Sequence, residues 1–276
     1  MTTPETLVYA SRNGGDLLVD VYRPAGAPKA AVLLLHGGGW RRGSRAAVAP
    51  SARALAGHGF VVLAAQYRLL GEAPWPAQIQ DVNSAIRWAR RNSANLGTDK
   101  LAVEGFSAGG HLALLAAGAP HVRAFSNDDD ADQDSSVAAV IAFYPPVEFG
   151  LANPVDGALD ASRLLEGPAD ARGAELASPF HHAEAPFPPT CLIHGTDDHI
   201  VLPIASQRMF DRLRKSGTAV DLHLQSGQTH AFAMLPSVVP QVQGIAAAFL
   251  DKHLVDPPFY VRENLELNQF AGGKRP

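Results

Sequence analysis

The stretch "LAVEGFSAGGHLALLAA", residues 101–117, sets a serine among small residues between two apolar runs. Leu101–Phe106 has the length and composition of a buried strand, and the alanine- and leucine-rich run after His111 reads as a helix. Between them Gly105-Phe106-Ser107-Ala108-Gly109 has the spacing of a nucleophile elbow, a sharp turn from strand to helix. Such a turn strains the serine backbone and lifts its hydroxyl above the sheet, while flanking glycines keep neighbouring chain clear. The helix that follows presents unpaired N–H groups and the positive end of its dipole. In isolation a glycine-rich turn with an incidental serine would look the same, so the reading depends on the rest of the chain.

Working outward, short apolar runs recur at 30–36, 60–67, 100–106, 137–145, 190–195 and 219–225. Most are apolar at every position, as strands buried on both faces of a parallel sheet are. Helical patterns separate them. In "PAQIQDVNSAIRWARRNS" the residues Ile79, Val82, Ile86 and Ala89 share one stripe, and Pro76 opens it. "HLALLAAGA", "ASQRMFDRLRKSG" and "VPQVQGIAAAFLDKHL" also read as helices, with Gly217 as a stop. "LVYASRNGGDLLVDVYRP" reads as two strands around a turn at Asn13-Gly14-Gly15. Alternating strands and helices predict one doubly wound α/β domain over 1–276, with no repeat and no linker.

Two segments break the pattern. "SNDDDADQDSS" (126–136) has alternating aspartates, but an EF-hand reading from Asp128 puts Gln133 at position six and Ala139 at position twelve, where glycine and glutamate are required. A solvated loop is the better reading, and no metal or other cofactor is expected. Residues 147–188, rich in Pro, Ala and Gly, read as a small cap insertion with one short helical piece near "ALDASRLLEG". Phe259, Tyr260 and Phe270 in the tail 255–276 could pack on the body or on a second copy of the chain, which would make a homo-oligomer.

A net charge of −4 over 276 residues, without a basic stripe, argues against nucleic acid as a partner. No apolar run reaches the roughly 18 residues of a membrane helix, so no membrane partner is expected. The N-terminus has no basic start or long apolar stretch, so a cytoplasmic location is the expectation. The lone Cys191 excludes an intrachain disulfide and a cysteine-rich metal site.

"HGGGW" (36–40) follows the first of the apolar runs. Three consecutive glycines let a backbone fold tightly and aim N–H groups at a developing oxyanion. A serine hydroxyl needs a histidine to take its proton, and the histidine needs a carboxylate. With an elbow serine, the acid and then the base follow along the chain at successive strand ends. "LIHGTDDHIV" (192–201) offers Asp197 and Asp198, between which spacing does not choose. "QSGQTHAF" (225–232) offers His230 in a polar loop. Of the other histidines, His223 lies inside a strand pattern, His194 precedes a glycine turn, His199 is too close to the acid loop, and His111 lies on the elbow helix, where packing suits it. His230 is therefore the candidate base.

Together these motifs resemble the α/β-hydrolase superfamily. The likeness is strongest to the bacterial esterase/lipase branch of feruloyl and acetylxylan esterase-like proteins, near the hormone-sensitive-lipase-like esterases. It covers roughly residues 5–250, including "HGGGW", "YRL" (67–69), "GFSAGGHLALL" and "HGTDDHIV". The resemblance implies an α/β-hydrolase fold, a mostly parallel central sheet with helices on both faces. It implies Ser107 as nucleophile, Asp198 as the acid, His230 as base, and backbone donors at Gly38, Gly39 and Ala108 for the oxyanion. Three features depart from it: Phe106 stands where hormone-sensitive-lipase-like enzymes usually have an acid, little chain precedes the first HGGG strand, and "PPVE" (145–148) stands where relatives often have a glycine and an aspartate.

The expected activity is that of a serine carboxylesterase hydrolysing a small ester through an acyl-enzyme. Trp40 and Phe106, bulky and beside the oxyanion loop and the serine, are candidate substrate-binding residues that would favour short acyl groups. An arylformamidase-type amidase would use the same motifs. A non-catalytic ligand-binding protein on this scaffold would typically lack a triad member, and all three are present.

Overall fold

The computed structural model describes residues 3–127, 134–151, 157–165, 170–184 and 186–267, with the side chains of 265–267 left aside. Its strands are β1 (Glu5–Arg12), β2 (Gly15–Tyr22), β3 (Ala31–Leu35), β4 (Val61–Ala65), β5 (Leu101–Phe106), β6 (Ala139–Phe143), β7 (Phe149–Gly150), β8 (Leu159–Asp160), β9 (Thr190–Gly195) and β10 (Val220–Gln225). Its helices are α1 (Ala49–Gly57), α2 (Ala77–Arg91), α3 (Ser93–Leu96), α4 (Ala108–Gly118), α5 (Ala171–Ala177), α6 (Ile204–Lys215), α7 (Val239–Leu250) and α8 (Pro257–Leu267).

Alternation along the strands explains the layering. In β3 all five residues are buried; Ala31, Leu33 and Leu35 join one core and Val32 and Leu34 the other. β4 divides in the same way, and a strand apolar on both faces must be covered on both. Helices α2, α4 and α6 build the first core, and α1 and α7 the second. The eight-stranded sheet has the order β1-β2-β4-β3-β5-β6-β9-β10. Only β2 runs against the others, pairing antiparallel with β1 and β4, while every later pair is parallel. The six expected apolar strands all form, most of them shorter by a residue or two at one or both ends, and the β1–β2 hairpin turns at the expected glycines.

Helix α2 buries the expected stripe and, beside it, the carboxylate of Asp81. Arg68 clamps that carboxylate with two bonds of 2.8 Å, and the Arg68 amide adds a third at 3.0 Å. Its neighbour Tyr67 donates to the His36 carbonyl at 2.8 Å and stacks on the His36 ring. The "YRL" triplet thus ties β4 to both α2 and the glycine loop after β3. Cys191 lies on β9 facing the α7 core, fully buried between β6 and β10.

In the segment expected as a cap insertion, the short helical piece is a 3-10 turn rather than an α-helix. Around "ALDASRLLEG", Leu159 and Asp160 form β8 against β7, and one 3-10 turn follows at Ala161–Arg163, capped by the Asp160 carboxylate. The α-helix in this segment is α5, further on, opened by Asp170, whose side chain accepts from the Gly173 amide. An aspartate N-cap of this kind satisfies an amide of the first turn and so fixes where α5 begins. The tail, expected to follow the last helix, itself forms α8, with Phe259 exposed and its ring against Tyr260. Phe270 and the aspartate run at 128–133 lie outside the described residues. Among the described residues no helix is long and apolar enough to cross a membrane, and no group of three His, Cys, Asp or Glu side chains is arranged to hold a metal ion.

Candidate active site

Every candidate site residue lies at or beyond the carboxyl ends of β3, β5, β9 and β10, where α/β sheets present their ligands. Ser107 joins β5 directly to α4 with φ 54° and ψ −116°. Its amide donates to the Phe143 carbonyl at 2.9 Å, and its own carbonyl accepts from His111 at 2.9 Å. The glycines make this turn possible: a Cβ on Gly105 would strike the Gly109 backbone, and one on Gly109 would come 2.5 Å from the carbonyls of Leu35 and His36.

His230 lies 2.9 Å from the Ser107 hydroxyl through Nε2 and 2.7 Å from Asp198 Oδ2 through Nδ1. Asp198 Oδ1 accepts from the amides of Ile200 at 2.9 Å and Val201 at 3.0 Å. His194 Nε2 stands 3.3 Å from Asp198 Oδ2 and 2.8 Å from the Val201 carbonyl, while its Nδ1 lies 2.7 Å from Ser206 Oγ. Burial opposes ionisation of Asp198, but the bonds from His194, His230 and the two amides outweigh it and hold the carboxyl well below its ordinary value. A carboxylate only accepts, so the proton of the neutral His230 imidazole sits on Nδ1 and its Nε2 lone pair faces Ser107. Asp197, by contrast, is exposed and only accepts from the adjacent Thr196 hydroxyl.

The glycine loop folds back on itself: the Gly38 carbonyl accepts from Arg41 at 3.3 Å and Arg42 at 3.2 Å. Gly38 has φ +121°, and a Cβ there would collide with the Arg42 carbonyl. Among the described residues no backbone carbonyl accepts from the amides of Gly38 or Gly39, and the Ala108 amide is the first of α4. Ala108 itself is fully buried.

Ser107, His230, Gly38 and Gly39 open onto a cavity of about 620 Å³, which Trp40 and Phe106 also line. Both aromatics are fixed in place. Trp40 Nε1 donates to His111 Nδ1 at 3.2 Å, and Phe106 stacks on Phe143 with ring centres 4.6 Å apart. His111 is a packing residue, its Nε2 2.7 Å from the Ala177 carbonyl; burial pushes its pKa down to about 4.

Tyr144 and Ala231 are among the lining residues that the sequence does not single out. The Tyr144 ring packs against His230 at 4.8 Å between centres, and Ala231 follows the histidine. With Trp40 and Ser107 these are the four non-glycine residues of positive φ among those described, and all four line this cavity. Nothing in their residue types announces that conformation; a tyrosine and an alanine are ordinarily right-handed or extended.

The sheet order, the elbow and the helices on both faces make this an α/β-hydrolase. The BD-FAE family model matches residues 19–213, and the chain belongs to that family. Among curated proteins it is 33% identical to Esterase LipC of Mycobacterium tuberculosis, over 79% of this chain and 57% of that one. It is 31% identical to Carboxylesterase NlhH of the same species, over 76% of this chain and 68% of NlhH. The chain thus spans little more than half of LipC. Among solved structures, the butyrate-bound thermophilic esterase Est2 of the planctomycete Thermogutta terrifontis superposes with a TM-score of 0.80 at 28% identity, covering 90% of this chain and 93% of that one. The same esterase phosphoramylated by tabun gives 0.79 at 28% identity, covering 91% and 94%.

Proposed function

We propose that this protein is a serine hydrolase that cleaves short-acyl carboxylic esters, with Ser107, His230 and Asp198 as its triad. The observation that carries the reading is the continuous line from Ser107 Oγ through both nitrogens of His230 to Asp198, at 2.9 and 2.7 Å. Ser107 Oγ attacks the ester carbonyl as its proton passes to His230 Nε2. The tetrahedral oxyanion accepts hydrogen bonds from the amides of Gly38, Gly39 and Ala108. Its collapse breaks the bond to the alkoxy oxygen, which leaves as the alcohol with the proton from His230. Water then attacks the acyl-enzyme, giving its proton to His230, and collapse returns Ser107 and releases the acid. Asp198 stays ionised and stabilises the imidazolium.

The short-acyl preference is supported by the fixed walls of Trp40 and Phe106 and by the butyrate- and propionate-bound forms of Est2. A fluorophosphonate should label Ser107 stoichiometrically, and Ser107→Ala should lower kcat by about three or more decades. Labelling at another residue would refute the assignment. Across p-nitrophenyl esters, kcat/KM should peak at acetate or butyrate and fall at least tenfold by about ten carbons, a loss of ~1.4 kcal/mol or more in transition-state binding. Maximal turnover of decanoate, rising on emulsification, would instead mark a lipase.

A further inference from the structure

Three arginines line the substrate cavity of a protein whose net charge is negative. The chain carries a net charge of −4. Yet the cavity that holds Ser107 and His230 is lined by Arg41, Arg42 and Arg163, and among the described residues no carboxylate lines it. The arginines come from separate segments, the loop after Gly39 and the 3-10 turn of the insertion. Elsewhere in this chain arginines near the sheet have acidic partners: Arg45 pairs with Asp20 at 2.9 Å and Arg68 with Asp81 at 2.8 Å. Among the described residues neither Arg42 nor Arg163 has such a pair. The carboxylate nearest in sequence to Arg163 is Asp160, which feels its charge but is engaged by the Ser162 amide at 2.8 Å and does not line the cavity. Like charges along one concave surface repel each other, and an anion bound there offsets that repulsion while accepting charge-assisted hydrogen bonds, bidentate where the guanidinium fork faces it. The remaining walls, Leu159, Ile200, Val201 and Met234 among them, are apolar and suit the hydrocarbon part of a ligand.

Resting on the ester-hydrolase reading above, we infer that the preferred substrates are anionic esters, carrying a carboxylate on the acyl or the alcohol side that the cavity arginines bind. Two matched pairs separate the sides. Monoethyl glutarate against ethyl pentanoate tests an acyl-side carboxylate, and 4-acetoxybutanoate against butyl acetate an alcohol-side one. At low ionic strength, kcat/KM for the anionic member of at least one pair should exceed that of its neutral partner tenfold or more. The ratio should shrink as sodium chloride is raised, because exposed guanidinium–carboxylate attraction is screened. Arg42→Gln and Arg163→Gln should each lower the ratio severalfold. Arg163 lies far along the chain from the oxyanion loop, so the second variant reads charge without disturbing that loop. Neutral esters turned over as well as, or better than, their anionic partners, or ratios unmoved in both variants, would overturn the proposal.

Hydrolysis of p-nitrophenyl butyrate by the unaltered protein and by Ser107→Ala, run alongside, reads the ester-hydrolase function itself. If that function fails, calorimetric titration of the Ser107→Ala protein with the same four esters still decides the point. Tighter binding of an anionic ester, weakened in the Arg42→Gln background, upholds the charged subsite, and equal binding of both members of each pair refutes it.

Discussion

Asp198 serves four donors with two oxygens: two amides on Oδ1, and His230 and His194 on Oδ2. Neutral asparagine there would turn an NH2 or a weaker acceptor toward His230 and leave its imidazole in the wrong tautomer. Asp198→Asn should therefore cost orders of magnitude in kcat, whereas Asp197→Asn, at an exposed side chain, should leave steady-state rates within a few fold. The reverse ranking would shift the acid by one residue. Burial distinguishes these neighbours, and burial follows from which way the loop turns after β9, which two consecutive aspartates do not encode. The resemblance made the choice that spacing did not. His230 was legible because its polar loop follows the last strand of the sheet. His194 was passed over as the residue before a glycine turn, yet it sits against Asp198 and the Val201 carbonyl, bracing the acid loop. Its signal, a histidine next to last in a buried strand and four residues before the acid, is weak without the fold.

At the scale of elements, α7 docks on β5 through a polar pair inside an apolar layer. Gln243 Nε2 donates to Glu104 Oε1 at 2.8 Å, both residues fully buried. Among the described residues Glu104 Oε2 and Gln243 Oε1 have no hydrogen-bond partner. These are the second arms of the same two planar groups, and a proton on the carboxyl supplies the donor that a reciprocal pair requires. Burial, opposed by the Gln243 bond, pushes the Glu104 pKa up to about 8 from an ordinary 4.5. A carboxyl raised on folding stabilises fully below its unfolded pKa and loses that contribution as pH rises through the folded value. Relative to Glu104→Gln, the unaltered protein should thus lose stability between about pH 4.5 and 8, by at most ~1.4 kcal/mol per pH unit. Urea unfolding of both proteins across that range gives the slope, and parallel curves would mean the carboxyl is ionised in the fold. The strand containing Glu104 was legible from its apolar run; the partner across the layer was not, because Gln243 sits in a helix whose pattern gives a face but no target. Helix α1 went unread for a related reason: "APSARALAG" offers only Leu55 as a large apolar residue, and its alanines blur the periodicity.

Over the whole molecule, the alternation of strands and helices carried the layered architecture and the resemblance implied a mostly parallel sheet, while the order of its strands is legible in neither, since periodicity is silent about neighbours. Backbone strain is collected in one place, the four residues of positive φ around the cavity. Such residues cost of order 1–3 kcal/mol each and persist only where the surrounding structure holds them. The rest of the described chain is free to be regular, and its middle is sealed. That gives the lone thiol a use. Cys191 is hydrogen-bonded into the sheet between β6 and β10, has no exposed surface, and burial with the Asp221 and Glu104 carboxylates disfavours its thiolate. A disulfide reagent such as dithiobisnitrobenzoate should find no reactive sulfur in the folded protein and one after denaturation. In between, at rising urea, the rate of labelling should follow the fraction of time the sheet stands open, because thiolate attack requires access. Rapid stoichiometric reaction in plain buffer would show a looser centre than this packing allows. Otherwise one sulfur atom serves as a built-in stopwatch for how often the heart of the sheet comes apart.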